Sequence, residues 1–508
     1  MRATRVRRLR PLVQLATFLL FLWLAFRPTQ AGILPADLFF WADPLAGLFG
    51  MLAARTLLVP FLFGSLAALA GALLLGRAWC GWLCPLGTLL DWTRPPGSRA
   101  RREDPTPNLR RIKYVLLTLI ALSALLGSLT FLVLDPISLV YRTATMVAWP
   151  AFNALVFGAE SSAYTVPFLR GLVDALEGNL RGSFLPASLP LYEQSVLILL
   201  ILASVVALNS IRERFWCRYL CPLGALLGLV SKWALVRRIV GESCTECMRC
   251  SKACPMGTID SARHFESDPG ECTMCLECVP ECSRLGQHFA ARIQPAVWRP
   301  YDPSRRQFIA SAGAALVLVG VLNSEPASAR EGEYLLRPPG ARTPGFLARC
   351  IRCGICLRVC PTSGLQPSLA EVGWAGLWTP VLVPRLGYCD FSCNVCGQNC
   401  PTGAIPRLPL EEKRLTVIGQ AYIDRNRCIP WADGTNCIVC EEMCPVPDKA
   451  IVLDEADEIG SDGEMVRVKR PRVVRERCIG CGICENRCPL NGSAAIRVYV
   501  PTDLGTAG

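Results

Sequence analysis

The sequence predicts an α-helical membrane domain of four spans, a fifth signal or anchor helix, and two small cysteine-rich α+β domains. Three observations predict it. Four apolar runs lie in the first 211 residues, 28 cysteines fall in tight groups, and an export-type segment sits mid-chain with cysteine groups on both sides. These divide the 508 residues into a membrane domain (1–240), a first cysteine-rich domain (241–300), a signal or anchor segment (301–329) and a second cysteine-rich domain (330–508).

The candidate spans are 11–26, 56–76, 114–134 and 195–211. The second and third are uncharged, and about 21 residues at 1.5 Å each cross a hydrocarbon core about 30 Å thick. Loop charge orients them. Residues 1–10 carry five Arg and no acid, 77–113 carry eight basic and three acidic residues, and 135–193 carry three Arg against five acids. Basic loops stay inside, so the N-terminus and the chain after 211 belong in the cytoplasm and the expected location is a bacterial inner membrane. The net charge of +12 is accounted for by this alternation, and no nucleic-acid partner is expected.

An internal repeat closes each pair of spans: WCGWLCPLG at 79–87 and WCRYLCPLG at 216–224. Two copies in one orientation imply a pseudo-twofold axis along the membrane normal, which would bring Cys80, Cys84, Cys217 and Cys221 together. On a helix, the i, i+4 spacing puts both sulfurs of a pair on one face. Converging thiols suit a soft metal, disulfide exchange or electron passage; the plainer alternative is packing beneath the tryptophans.

The other 24 cysteines form six four-cysteine runs. Cys244, Cys247, Cys250 and Cys254, and Cys272, Cys275, Cys278 and Cys282, keep the C-x₂-C-x₂-C-x₃-C spacing. Three close thiolates wrap one [4Fe-4S] cubane and the fourth reaches its neighbour. The expected ligand sets are therefore Cys244, Cys247, Cys250 and Cys282, and Cys272, Cys275, Cys278 and Cys254. Zinc sites favour two spaced C-x₂-C pairs instead. Ser283 stands where proline usually follows the last cysteine. His264 and His288 are the only histidines; both fall in this domain, so haem is not expected.

Beyond residue 330, Cys350, Cys353, Cys356 and Cys360, and Cys478, Cys481, Cys484 and Cys488, keep the same spacing. Cys389, Cys393, Cys396 and Cys400 add one residue in the first gap, and Cys428, Cys437, Cys440 and Cys444 open it to eight. Gly354, Gly480 and Gly482 allow tight wrapping. Both cysteine-rich domains thus read as ferredoxin-like iron–sulfur domains, with six [4Fe-4S] clusters in all. Spacing does not say which of the last four runs exchange their fourth cysteine.

Between the two domains, Arg305-Arg306, the apolar run 308–322 and Ala327-Ser328-Ala329 follow the order of a twin-arginine export signal. That route handles folded cargo, as a domain loaded with clusters in the cytoplasm requires. The second domain is then periplasmic, on an unbroken tether.

On these motifs residues 1–300 resemble the membrane ferredoxin-type proteins of periplasmic nitrate reductase systems (NapH). The remainder resembles their exported partners (NapG) and the methylamine-utilisation ferredoxins (MauM, with MauN for the membrane half). The resemblance implies a fusion that passes electrons from the membrane quinol pool toward a periplasmic cytochrome or reductase. The alternative is a maturation or copper-reduction factor that uses the cytoplasmic clusters and the CxxxCP thiols. No acid–base or nucleophilic constellation for converting a substrate is present.

Overall fold

Four short helices of this protein begin at an X-Pro pair, where the missing proline N–H costs nothing. Asp43 and Asp135 precede two of them, and Cys84 and Cys221 the other two. A computed structural model describes residues 2–27, 34–95, 107–180, 185–186, 189–282, 286–323, 335–341, 345–369, 371, 373–459 and 465–501. Ser283 and the tripeptide Ala327-Ser328-Ala329 lie outside the described residues.

The helical domain is built twice. One half runs through Arg2–Phe26, Pro44–Ala54, Val59–Leu75 and Pro85–Trp92; the other runs through Arg111–Leu125, Pro136–Thr143, Ser195–Ala207 and Pro222–Ser231. Each half is a long helix, an Asp-Pro helix, a second long helix and a Cys-Pro helix. The halves interlock: Pro44–Ala54 packs on Pro222–Ser231, and Pro136–Thr143 on Pro85–Trp92. Phe21, Phe40, Leu45, Leu90, Ile137 and Leu227 fill the core between them.

One helical segment among the described residues, Val6–Phe26, is long and apolar enough to cross a membrane, against four expected. The other three expected spans are helical but stop short. Val59–Leu75 has 17 residues and ends at Gly76, whose φ is +65°. Arg111–Leu125 has 15 and is broken by Gly127 at φ +80°. Ser195–Ala207 has 13 before a 3₁₀ turn. The loop 135–193 holds further helices, Trp149–Tyr164 and Arg170–Leu180.

Two α+β units of one-turn helices and two-stranded antiparallel sheets flank this domain. The first pairs Val236–Val240 with Gln287–Ala291, in register from Val236↔Ala291 to Val240↔Gln287. The second pairs Leu365–Pro367 with Pro380–Leu382 and Gln420–Ile423 with Ile496–Tyr499, and carries a long hairpin, Ile451–Ile459 with Met465–Val473.

The units sit at opposite ends. Arg110 Nη2 donates to the Met256 carbonyl of the first (2.6 Å), and Trp82 Nε1 to that of Met274 (3.0 Å). At the other end Arg358 Nη2 of the second unit donates to the Phe26 carbonyl (2.8 Å), and Tyr192 Oη to that of Leu357 (3.1 Å). Arg10, near the start of Arg2–Phe26, pairs with Glu277 of the first unit (3.1 Å). Sixteen residues of helix, about 24 Å, therefore separate the two contacts. The paired arginines open helix Arg305–Asn323, which lies along Arg111–Leu125 and reaches the turn Trp374–Gly376 of the second unit. It links one end of the helical domain to the other.

Candidate metal centres

The C-x₂-C-x₂-C loops are wound by left-handed residues on both sides of the second cysteine. Glu246 and Met248, Met274 and Leu276, Arg352 and Gly354, and Gly480 and Gly482 all have φ between 52° and 82° or, at Gly354, 85°. Glycine is needed for packing as well at Gly354, where a Cβ would lie 3.0 Å from Met146 Cε and 3.2 Å from Arg142 Cγ. Holding non-glycine residues in this region costs energy that the wrapped centre must repay.

The first unit brings Cys254 to the second run. Burial, then the neighbouring Cys275, pushes Cys272 up to about 12, and burial pushes Cys275 up to about 11 against the opposing charge of Arg10; Cys254 is among the charges acting on Cys272, Cys275 and Cys278. Cys244 and Cys247 act on Cys250. Cys282 Sγ accepts from Gly286 N (3.2 Å), and a Cβ on that glycine would lie 3.0 Å from Cys244 N. His264 and His288 are exposed.

The second unit resolves the pairing that spacing left open. Cys400 acts on Cys350, Cys353 and Cys356, while Cys360 acts on Cys389, Cys393 and Cys396. Cys488 acts on Cys428, and Cys444 on Cys478 and Cys481. Two cavities gather two of these groups. Cys360, Cys389, Cys393 and Cys396 line one of about 30 Å³, and Cys428, Cys437, Cys440 and Cys488 line another of about 30 Å³. The four groups are therefore Cys350, Cys353, Cys356 and Cys400; Cys360, Cys389, Cys393 and Cys396; Cys428, Cys437, Cys440 and Cys488; and Cys444, Cys478, Cys481 and Cys484. Neighbouring runs exchange their last cysteine.

These groups fit cubane clusters. Thiols gather around a cavity, and backbone N–H groups donate to sulfur: Ile405 to Cys400 (3.4 Å), Ala450 to Cys444 (3.3 Å) and Ala421 to Cys478 (3.3 Å). Such donors tune cluster potentials. Among the described residues no three Cys, His, Asp or Glu side chains are spaced to hold a single metal ion; thiolates around a cubane stand farther apart. Cys389 N donates to the Cys481 carbonyl (2.8 Å), joining the two pairs of groups. The group of Cys350 faces the helical domain, where Arg142 stacks on Trp378 at 4.0 Å.

Cys80, Cys84, Cys217 and Cys221 are all buried and lie within electrostatic reach of one another. Burial pushes Cys84, Cys217 and Cys221 above the ordinary thiol value, and neighbouring sulfurs add to it for all three. Two arginines not singled out from the sequence organise the site. Arg214 Nη1 donates to the Cys80 carbonyl (3.1 Å) and Arg77 Nη2 to that of Cys217 (3.4 Å). Each lies three residues before its own cysteine and reaches into the other copy, so comparing the two copies outward from WC would have found them. Arg77 also pairs with Glu271 of the first unit (2.9 Å), and Arg218 Nε donates to the Pro255 carbonyl (3.1 Å). The thiols thus lie under the first unit.

Comparison with known proteins places these features. Family models described as a 4Fe-4S binding domain match residues 57–102 and 194–241, the two copies of the repeat. A 4Fe-4S dicluster domain matches 237–283, and a 4Fe-4S binding domain matches 471–491. The methylamine utilization ferredoxin-type protein MauM of Methylorubrum extorquens is 38% identical over 219 residues, 41% of this chain and 94% of that protein. MauM of Paracoccus denitrificans is 39% identical over 213 residues, covering 41% and 88%. The ferredoxin-type protein NapG of Haemophilus influenzae is 35% identical over 215 residues, covering 40% and 74%. No solved structure matches. With its cysteine groups and 4Fe-4S domains, this chain belongs to the family of iron–sulfur ferredoxin-type proteins that includes MauM and NapG.

Proposed function

We propose that the protein is a membrane-bound electron carrier that takes electrons from quinol and delivers them to a periplasmic oxidoreductase, and that it fuses a NapH-like half to a MauM- or NapG-like half. The observation that carries this reading is the placement of two cysteine-rich units at opposite ends of one helical domain. In it, the first unit is cytoplasmic and the second periplasmic. The helical domain lies in the membrane as a four-helix set with Arg305–Asn323 as a fifth, retained helix. Outward apolar side chains support that: Leu57, Phe63, Val196, Ile309 and Val317 are each at least 68% exposed, a surface that water would not favour.

Twenty-four cysteines, in the two expected groups of the first unit and the four of the second, would hold six [4Fe-4S] clusters. Bound there, the clusters supply one-electron carriers. The chain's own residues position and insulate them. Cys389 and Cys481 couple the two halves of the second unit through their backbone contact, and the Cys350 group lies at the helical domain while the Cys428 group lies away from it. A periplasmic partner then meets the Cys428 end. A second reading, maturation or metal reduction, draws on one observation: four buried thiols converge beneath the first unit.

The test is quinol reduction of the purified full chain in detergent, followed by electron paramagnetic resonance. Reduced-cluster signals on adding quinol support the carrier. Clusters that remain oxidised in excess quinol, yet are reduced by a stronger soluble reductant, would contradict it.

A further inference from the structure

The strand Val236–Val240 carries two arginines in succession, and a strand sends successive side chains to opposite faces. Arg237 is buried and donates to the backbone, Nε to the Ala234 carbonyl (2.6 Å) and Nη2 to that of Lys232 (2.7 Å). Arg238 is half-buried and turns to the cysteine loops. Its Nη2 donates to Cys250 Sγ (3.4 Å), its Nη1 to the Phe265 carbonyl (2.5 Å) and its Nε to Gln287 Oε1 (2.5 Å). Gln287 lies diagonally across the ladder, opposite Val240, within reach of a long side chain. Its own Nε2 donates to the Cys278 carbonyl. One guanidinium thus touches a sulfur of the first group and, through one amide side chain, the backbone of the second.

The contact is one-sided in charge. Cys244 and Cys272, one from each group, line the same cavity of about 400 Å³ as Arg238, so the guanidinium stands at the seam between the groups. The sulfur it bonds belongs to the first. None of its three partners is a carboxylate, and the carboxylates that line the cavity, Glu242, Glu246 and Glu266, are exposed and screened by water. Beside the second group, by contrast, Arg10 is paired with Asp91 and with Glu277 of the cysteine loop. Exposure adds to the asymmetry. Cys247 is exposed and Cys244, Cys250 and Cys282 are half-buried, whereas Cys254, Cys275 and Cys278 are buried. A cluster that gains an electron gains a negative charge, and both an uncancelled cation and nearby water favour that state.

We propose that Arg238 sets the order of reduction in the first unit, holding the cluster on Cys244, Cys247, Cys250 and Cys282 at a higher potential than the cluster on Cys272, Cys275, Cys278 and Cys254. The proposal rests on the reading that these eight cysteines hold two clusters. One electron delivered by the quinol of that reading, or by another reductant, settles on the cluster that Cys250 ligates; no bond forms or breaks. The second group lies against the helical domain, where a Cβ on Gly81 would fall 2.1 Å from the Thr273 carbonyl oxygen. Electrons in the first unit therefore rest on the water-facing cluster, and the buried one is the step between it and the helical domain.

The test is a redox titration of the full chain in detergent, followed by paramagnetic resonance, with Cys250→Ser and Cys278→Ser to assign the two signals. In the wild type the cluster lost in Cys250→Ser should be reduced before the one lost in Cys278→Ser. In Arg238→Gln, which keeps a donor and loses the charge, the first should become about tenfold harder to reduce, a fall of about 59 mV for one electron, and the second should shift by less than half as much. Arg238→Lys, which keeps the charge, should recover most of the fall. Should Arg238→Gln lose its clusters, wild-type protein with isotope-labelled arginine nitrogen decides: pulsed resonance should show a nitrogen coupling on the Cys250 cluster that Arg238→Lys lacks. The opposite order of reduction, equal shifts in both clusters, no shift in either, or no such coupling overturns the proposal alone. A Cys250→Ser protein that keeps every cluster signal overturns the underlying reading with it.

Discussion

Arg214 Nη1 lies 3.1 Å from the carbonyl oxygen of Cys80, in the other copy of the repeat. Arg77 returns the contact to Cys217. The exchange ties two halves of the helical domain whose other contacts are mostly apolar. Arg214 is also held by Asp91 (2.7 Å) and by the Gly87 carbonyl (3.2 Å). Arg214→Met removes charge-assisted bonds worth about 1.5–3 kcal/mol in a buried setting. A matching loss of thermal stability is expected, with faster labelling of Cys80 and Cys217 by a thiol reagent; unchanged labelling would show that the arginines do not close the site.

Gly87 approaches the same carbonyl. A Cβ there would lie 2.4 Å from the Cys80 oxygen, which is backbone and cannot swing aside. Gly87→Ala should therefore cost about 1–3 kcal/mol, read as a lowered melting temperature. Gly71→Ala, where a Cβ meets nothing within 4 Å, should leave it unchanged or raise it slightly.

Glu271 joins the first unit to the helical domain through Arg77, Arg110 and Lys113. Burial alone would raise its carboxyl, but Lys113, Arg77 and Arg110 outweigh burial and hold it down at about 2. Lys113 goes the other way for its own part: burial and two neighbouring arginines bring it down to about 8 despite the carboxylate. The difference follows from number, since one anion faces three cations. A depressed carboxyl contributes stability that is complete above its ordinary value of 4.5 and is lost as pH falls through about 2. Thermal unfolding between about pH 6 and pH 2 should show this loss, of about 3 kcal/mol. Glu271→Gln, which strands three buried cations, should cost about 3–5 kcal/mol at neutral pH and flatten that acid limb.

The exchange of fourth cysteines is countable in iron. Cys350→Ser with Cys360→Ser removes ligands from two groups of one run, whereas Cys360→Ser with Cys389→Ser removes two from a single group. With four irons per cubane, the first pair should lose about eight irons per chain and the second about four. The reverse, about four irons lost by the first pair and about eight by the second, would return the pairing to within runs.

The cysteine runs, the CxxxCP repeat and the two α+β units were legible because thiolate spacing is set by cluster geometry and leaves a direct mark on the chain. Partner choice was not legible. Whether Cys360 serves Cys350 or Cys389 depends on how two loops stack, and both runs end in the same Cys-Pro. Helix lengths were misjudged where hydropathy continues through a backbone break: 114–134 is apolar throughout, yet Gly127 ends the helix at its middle. Arg77 and Arg214 fell just outside the motif as first delimited.

Under the proposed function the two cysteine-rich units face opposite sides of one membrane. The direct measurement is protease digestion of sealed, right-side-out spheroplasts carrying the full chain. The exposed hairpin Ile451–Ile459 with Met465–Val473 should be cut in intact spheroplasts, while 241–291 should be cut only after lysis. Protection of the hairpin until lysis, or cleavage of both units in sealed cells, would contradict it.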